Sequence, residues 1–340
     1  MADFPQVRQR EHHLDFVAGI MILVMVYGHC GQFADAYDTP AYEVVHTVFA
    51  CFMAWFYFKA GMFHNPNRTV VETFRSCLHR LFVPFIVFTI AGHLLYTVPS
   101  QIIDGTLTIR ALLLDPVVGI VRTGAAGGNL ALWFLLSLFL VKVMFAVLCR
   151  HTSRGVRLVA TISGGGISYL FQQYAPEKMP FLLMNIWAGL FFYGLGYELR
   201  TWQFRKWVAT IATVAYLITL PDTSTFDFRS TSGSGCFVVW VVACIAAIVM
   251  FNNFAKTLYK SAPLCIMVCL KPIASVGVNS MCWYVIHWIV LSWTHFTIIR
   301  ICQGLPPSEY HHIYFIIVVV TIALLQPILM NAKTKKYIGL

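Results

Sequence analysis

Apolar runs of about 18–22 residues recur along the whole chain, and each can cross a hydrocarbon core roughly 30 Å thick. Hydrophobic residues make up 59% of the 340 and charged residues 11%, with mean hydropathy +0.72. That is too little charge to cover a soluble surface. The fold class expected is all-α: a polytopic membrane protein of about ten transmembrane helices, read as one membrane-embedded domain over 1–340. The spans fall at 14–33, 43–63, 78–98, 130–149, 156–173, 180–199, 206–220, 234–252, 276–296 and 312–331. The first run is not a cleavable signal peptide, because it ends in "GHCGQF" rather than a small-residue cleavage site and opens a series. The stretch 107–122 is apolar but broken by Asp115-Pro116 and flanked by Arg110 and Arg122, which predicts a re-entrant or surface helix.

Charge sets the expected orientation. With the N-terminus inside, 17 of the 24 Lys and Arg fall on the inner side, among them Arg8, Arg10, Arg75, Arg80, Arg200 and Lys271. Five fall outside (Arg110, Arg122, Lys178, Arg229 and Arg300), and Lys59 and Lys142 lie within spans. The split follows the positive-inside rule and predicts both termini in the cytoplasm. Acidic residues such as Asp35, Glu177, Asp222, Asp227 and Glu309 collect in the outer loops. The net charge of +10 therefore reads as topology and contact with anionic lipid, not as a nucleic-acid footprint. The ten cysteines show no CxxC pair and no Cys/His cluster at zinc spacing, so neither a metal site nor disulfides are expected.

Titratable groups deep in apolar helices are candidates for function, since burying them is costly. At 1.5 Å per residue, His29 and His93 each lie about 22 Å above the inner end of their spans, and His287 about 16 Å. A neutral imidazole can take a proton from a hydroxyl at neutral pH, although a helix–helix hydrogen bond is an equally simple use for the ring. On the inner half, Lys59 lies level with Ala18 and could snorkel to the headgroups. Arg75, His79 and Arg80 stand at the inner mouth of the third span, where they could bind lipid phosphates or grip a phosphorylated cofactor. Trp133 sits near the outer interface, where a belt aromatic is common. The chain has no Walker loop, no GxSxG elbow and no His followed five residues later by Asp.

Six segments, in order, resemble the membrane acyltransferase 3 family of integral-membrane O-acyltransferases: "LDFVAGIMILVMVYGHC", "FMAWFYFKAGMF", "HRLFVPFIVF", "NLALWFLLSLFLVKVMF", "FFYGLGYEL" and "NSMCWYVIHWIVL". The resemblance runs from about 14 to 291. It implies an acyl-CoA donor, most often acetyl-CoA, on the cytoplasmic face of a bacterial inner membrane. It implies an acceptor hydroxyl on a sugar of a surface polysaccharide or glycolipid at the outer face. Within that picture His29 is the expected general base or acyl carrier, and His287 the second catalytic candidate. Lys59, Arg75 and Arg80 are the expected donor-binding cations, and Asn129, Trp133 and His93 the candidates for the substrate channel.

Two positions depart from the family pattern. Ala18 stands where the family has Arg or Lys, eleven residues before His29, and Cys77 stands where the second cation before the helix-three Pro is usual. Lys59, at the depth of Ala18 on the neighbouring helix, is the expected substitute. A transporter or flippase for a lipid-linked sugar is the reading from another class, since intramembrane His and Lys also serve proton relays. The absence of an evident internal repeat counts against it.

Overall fold

The computed structural model describes residues 11–174, 179–202, 205–221, 226–301 and 311–340. Arg8, Arg10, Glu177, Lys178, Asp222 and Glu309 of the charge map lie outside these. The protein is an all-α membrane protein. The helices are α1 (His12–Phe33), α2 (Pro40–Phe49), α3 (Phe52–Met62), α4 (Val70–Cys77), α5 (Val83–Gly92), α6 (Val98–Ile103), α7 (Ile109–Leu113), α8 (Asp115–Thr123) and α9 (Trp133–His151). They continue as α10 (Arg154–Tyr174), α11 (Phe181–Leu199), α12 (Lys206–Thr219), α13 (Phe237–Ser261), α14 (Leu264–Val278), α15 (Ser280–Ile301), α16 (His311–Leu329) and α17 (Ala332–Ile338). Between α12 and α13 a short antiparallel hairpin pairs β1 (Phe226–Asp227) with β2 (Ser232–Gly233).

Among the described residues, seven helical segments are long and apolar enough to cross a membrane: His12–Phe33, Pro40–Met62, Val70–Ile103, Asp115–His151, Phe237–Ser261, Ser280–Ile301 and His311–Leu329. The expected spans 156–173, 180–199 and 206–220 are helices as well, but stand outside those seven. The expected surface segment at 107–122 forms α7 and α8, too short to cross. They turn Ile109, Leu113, Val117 and Val121 outward. Helix α14 is additional to the ten expected spans: its apolar run is short and interrupted by Lys271-Pro272.

Local chemistry shapes these elements. Thr69 and Glu72 close a capping box at the start of α4, each satisfying the other's backbone N–H. Two π turns, Leu78–Phe82 and His93–Thr97, come just before Pro84 and Pro99. A proline has no N–H for the helical ladder and crowds the preceding turn, and a wider turn accommodates it.

Glycines set how closely the helices meet. In lipid, helix association rests on packing, and small residues allow backbones to touch. Side-chain carbon added at Gly61 of α3 would sit 1.9 Å from the carbonyl oxygen of Tyr193 in α11, and at Gly196 of α11, 2.0 Å from that of Phe58. Helices α1 and α14 cross in the same way, with Gly19 against the carbonyl of Ile273 and Gly277 against that of Asp15. Ala18, wholly buried, lies at that crossing. Gly61→Val is expected to lower stability by about 1–3 kcal/mol through forced separation of α3 and α11. Melting in detergent tests this against Gly166→Ala, where an added carbon meets nothing within 4 Å. Equal melting of the two variants would refute the packing argument.

Candidate active site

Three cavities lie in series through the bundle. The first, at the Asp15 end of α1, holds about 690 Å³ and is lined in part by His64, Arg68, Arg80, Lys142 and Arg200. The second holds about 220 Å³ between α1, α3, α9 and α15, with Lys59, Phe134, Leu138 and Met281 in its wall. The third, at the His29 end of α1, holds about 500 Å³. Phe63 and Met281 line both the first and the second. Met25, Met53 and Tyr284 line both the second and the third.

His29 faces the third cavity from the last turns of α1. Its Nδ1 stands 2.7 Å from Gln32 Oε1. An amide oxygen can only accept, so Nδ1 carries the proton and Nε2 keeps its lone pair. The ring stacks on His287 of α15, with centroids 5.3 Å apart and planes 18° from parallel, and meets the edge of Trp288 at 5.0 Å. Parallel rings cannot hydrogen-bond through their in-plane nitrogens. His287 is wholly buried and is absent from the cavity wall. Its Nδ1 donates to the carbonyl of Tyr284 at 2.7 Å, and its Nε2 has no partner among the described residues. His287 thus backs His29 and holds its plane.

The other expected substrate residues divide. Trp133 is buried in the wall of the third cavity, stacked near Phe228 at 6.4 Å, not turned to lipid as a belt aromatic would be. Asn129 lies behind that wall, where its Nδ2 donates to the carbonyl of Val285 at 2.8 Å and pins the 127–132 turn to α15. Leu130 and Ala131 of the same turn do reach the cavity. His93 is elsewhere: its Nε2 donates to the carbonyl of Leu112 at 3.0 Å and ties the third span to α7.

The donor-side residues divide as well. Arg80 lines the first cavity, while Arg75 is exposed in a shallow surface hollow with Arg68 and Glu72. Lys59 belongs to the second cavity, with Nζ 3.3 Å from the carbonyl of Leu14 and 3.9 Å from Asp15. Arg68, Lys142, Arg200 and His64 were not singled out from the sequence. Lys142 carried a signal, as a lysine inside a span; Arg200 carried none, since it closes α11 where any loop cation could stand. No Asp or Glu is among the described residues lining this cavity. His64, in the α3–α4 connection, is pushed down to about 4 by burial, then by Lys142, Arg200 and Arg68. It is therefore neutral at pH 7, with Nδ1 2.8 Å from the Tyr193 hydroxyl.

The hairpin at 226–233 was also unforeseen. It sends Phe228 into an aromatic nest, stacked on Tyr57 at 5.2 Å and near Trp240 at 5.8 Å. Arg229, beside it, lines the third cavity together with Asp227, His46 and Gln32.

A family model, described as an acyltransferase domain, matches residues 11–330. The chain belongs to the membrane acyltransferase 3 family. No curated protein and no solved structure matches it. The match covers every span and all three cavities of the acyltransferase. Ala18 is wholly buried in this chain, and the cation on α3, Lys59, faces the second cavity.

His64 gives the acyltransferase a defined acid limit. The unfolded chain takes up the proton near pH 6.5, the folded one only near 4. Between these values the unfolded state binds more protons, so stability is full above about pH 6.5 and falls as pH drops towards 4, by about 3 kcal/mol at most. Melting in detergent across that window is expected to show this fall in the wild type and a shallower one in His64→Gln. An identical slope in both would assign the acid limit to other groups.

Proposed function

We propose that the protein transfers an acyl group, acetyl in the first instance, from cytoplasmic acyl-CoA to a hydroxyl of a sugar at the outer face. The acceptor sugar belongs to a surface polysaccharide or glycolipid of a bacterial plasma membrane. The observation that carries this reading is the cavity series: a cation-lined, carboxylate-free chamber joined through an apolar neck to a chamber holding a bare imidazole nitrogen. The positive-inside split supports a cation chamber on the cytoplasmic side, with both termini.

The chemistry follows from the two chambers. Phosphates of the donor bind Arg68, Arg80, Lys142 and Arg200 by charge-assisted hydrogen bonds. The thioester end extends through the neck past Lys59 towards His29. Aromatic faces of Trp133 and Trp288 receive the apolar face of a pyranose, and Gln32 and His46 bond its hydroxyls. His29 Nε2 takes the proton of the acceptor hydroxyl as its oxygen attacks the thioester carbonyl carbon. The C–S bond breaks, the ester forms, and the sulfur leaves with the proton that His29 returns. His287 is a positioning residue in this scheme, holding the His29 ring from behind.

Release of CoA thiol from acetyl-CoA by the purified protein, with a mixed pool of sugar acceptors, tests the reading. His29→Ala is expected to lower kcat by about 10²–10⁴-fold with CoA binding retained. Full turnover in that variant would sink the proposed role of His29, and no thiol release by the wild type would sink the acetyl-CoA reading. Lys142→Met and Arg200→Met are each expected to raise KM for acetyl-CoA by about 10–100-fold, the value of a lost hydrogen bond to a charged group. Lys59→Met decides whether Lys59 replaces the cation missing at Ala18. Unchanged activity and donor affinity in that variant would show that it does not.

A further inference from the structure

Arg229 is a cation in the wall of the His29 cavity, held in place by three elements. The carbonyl of Arg229 accepts from Asn185 Nδ2 of α11 at 3.1 Å, and its N–H donates to Asp227 Oδ1 at 3.0 Å. One terminal nitrogen of its guanidinium reaches the carbonyl of Thr123, at the end of α8, at 3.5 Å. The neighbouring Phe228 is buried among Tyr57, Trp133 and Trp240, which fixes the hairpin to the bundle. The side chain is therefore presented to the cavity without the entropy of a free loop.

Its charge has no direct ion pair among the described residues, only the longer-range field of Asp227 and the face of Phe181 at 5.7 Å. Among the described residues no carboxylate lies within ion-pair distance of the guanidinium, and Nε is buried with no partner. Asp227, the acidic residue nearest in sequence, has both oxygens engaged by the turn: Oδ1 by the Arg229 N–H, Oδ2 by the Ser230 N–H at 3.3 Å and the Ser230 hydroxyl at 2.6 Å. A part-buried cation in this state is destabilising until an anion shares the site. Guanidinium geometry favours a planar or tetrahedral oxyanion bound through two parallel N–H donors.

We infer that the acceptor is an acidic sugar, bearing a carboxylate or a phosphate, whose anionic group is bound by Arg229 while a hydroxyl lies at His29. This rests on the third cavity being the acceptor site, as in the proposed function.

The test is binding, without acyl donor. Calorimetry on the detergent-solubilised full chain compares methyl glucuronide, glucose 6-phosphate and methyl glucoside. The wild type is expected to bind at least one anionic sugar tenfold or more tightly than methyl glucoside, and the arm that does so separates carboxylate from phosphate. In Arg229→Gln that preference is expected to fall to within about threefold, with melting not lowered; Arg229→Lys keeps part of it, and Asp227→Asn raises it. Equal affinity for all three sugars, binding of none of them, or a preference that survives Arg229→Gln each overturns the inference. Thiol release onto neutral sugars beside equal affinities would leave the acyl transfer standing and remove only the acidic acceptor. Selective binding without thiol release would do the reverse.

Discussion

Backbone-to-backbone contact at glycines is the constraint on which the rest of this structure depends. Lipid tails give helices no hydrophobic reason to separate from lipid and join each other, so dense packing and hydrogen bonds have to hold the bundle. The α3–α11 and α1–α14 crossings supply the first, through Gly61, Gly196, Gly19 and Gly277. The chain Tyr57–Ser137–Asn185 supplies the second, with bonds of 2.6 and 2.7 Å linking α3, α9 and α11, and Asn185 reaching on to the 226–233 hairpin. Each of the three cavities takes part of its wall from those helices. Their spacing fixes where Lys59, His29 and Arg229 stand relative to one another.

Charge is distributed to match. Burial, reinforced by the cations of the first chamber, keeps His64 neutral, and the third holds Arg229 beside the bare His29 nitrogen. Between them the neck is walled chiefly by Phe, Leu and Met, with Lys59 as its charged member. Lys59 is drawn to the Leu14 carbonyl and Asp15 at the end of α1, away from the His29 chamber. The two polar chambers are thus insulated from each other by the same apolar packing that holds the bundle.

Much of this was legible in the sequence, for definable reasons. Long apolar runs have one stable outcome in lipid, so the helices at 14–33, 180–199 and 312–331 appear within a few residues of their expected bounds. A titratable ring in such a run is conspicuous, and His29 and His287, 258 positions apart, do meet. What stayed hidden depends on packing between distant segments. His93 has the depth of His29 but faces α7, because depth along a helix says nothing of azimuth. Arg75 and Arg80 look alike at one helix mouth, yet only Arg80, which lies within the π turn, lines the chamber. Lys142 and Arg200 join it from helices whose ends converge only in three dimensions. Helix α14, short and interrupted by Lys-Pro, has no span-length apolar run to mark it, although Gly277 and the Gly19 it approaches are the residues that let it dock.

The neck also bears on which acyl groups the proposed reaction accepts. At about 220 Å³ it lies below the 300–1,000 Å³ usual for pockets that enclose whole ligands, and it has to pass a thioester arm as well. Phe134, Leu135 and Leu138 wall it from α9, and Tyr284, whose hydroxyl is bonded to the carbonyl of Ala131, stands where it meets the His29 chamber. A long acyl chain would have to displace several of these packed side chains at once, at a cost of about 1–3 kcal/mol for each overpacked site. A two-carbon group requires no such movement. Within the proposed function, the dimensions of the neck are the reason acetyl is named before long acyl groups, independently of how the CoA phosphates are held.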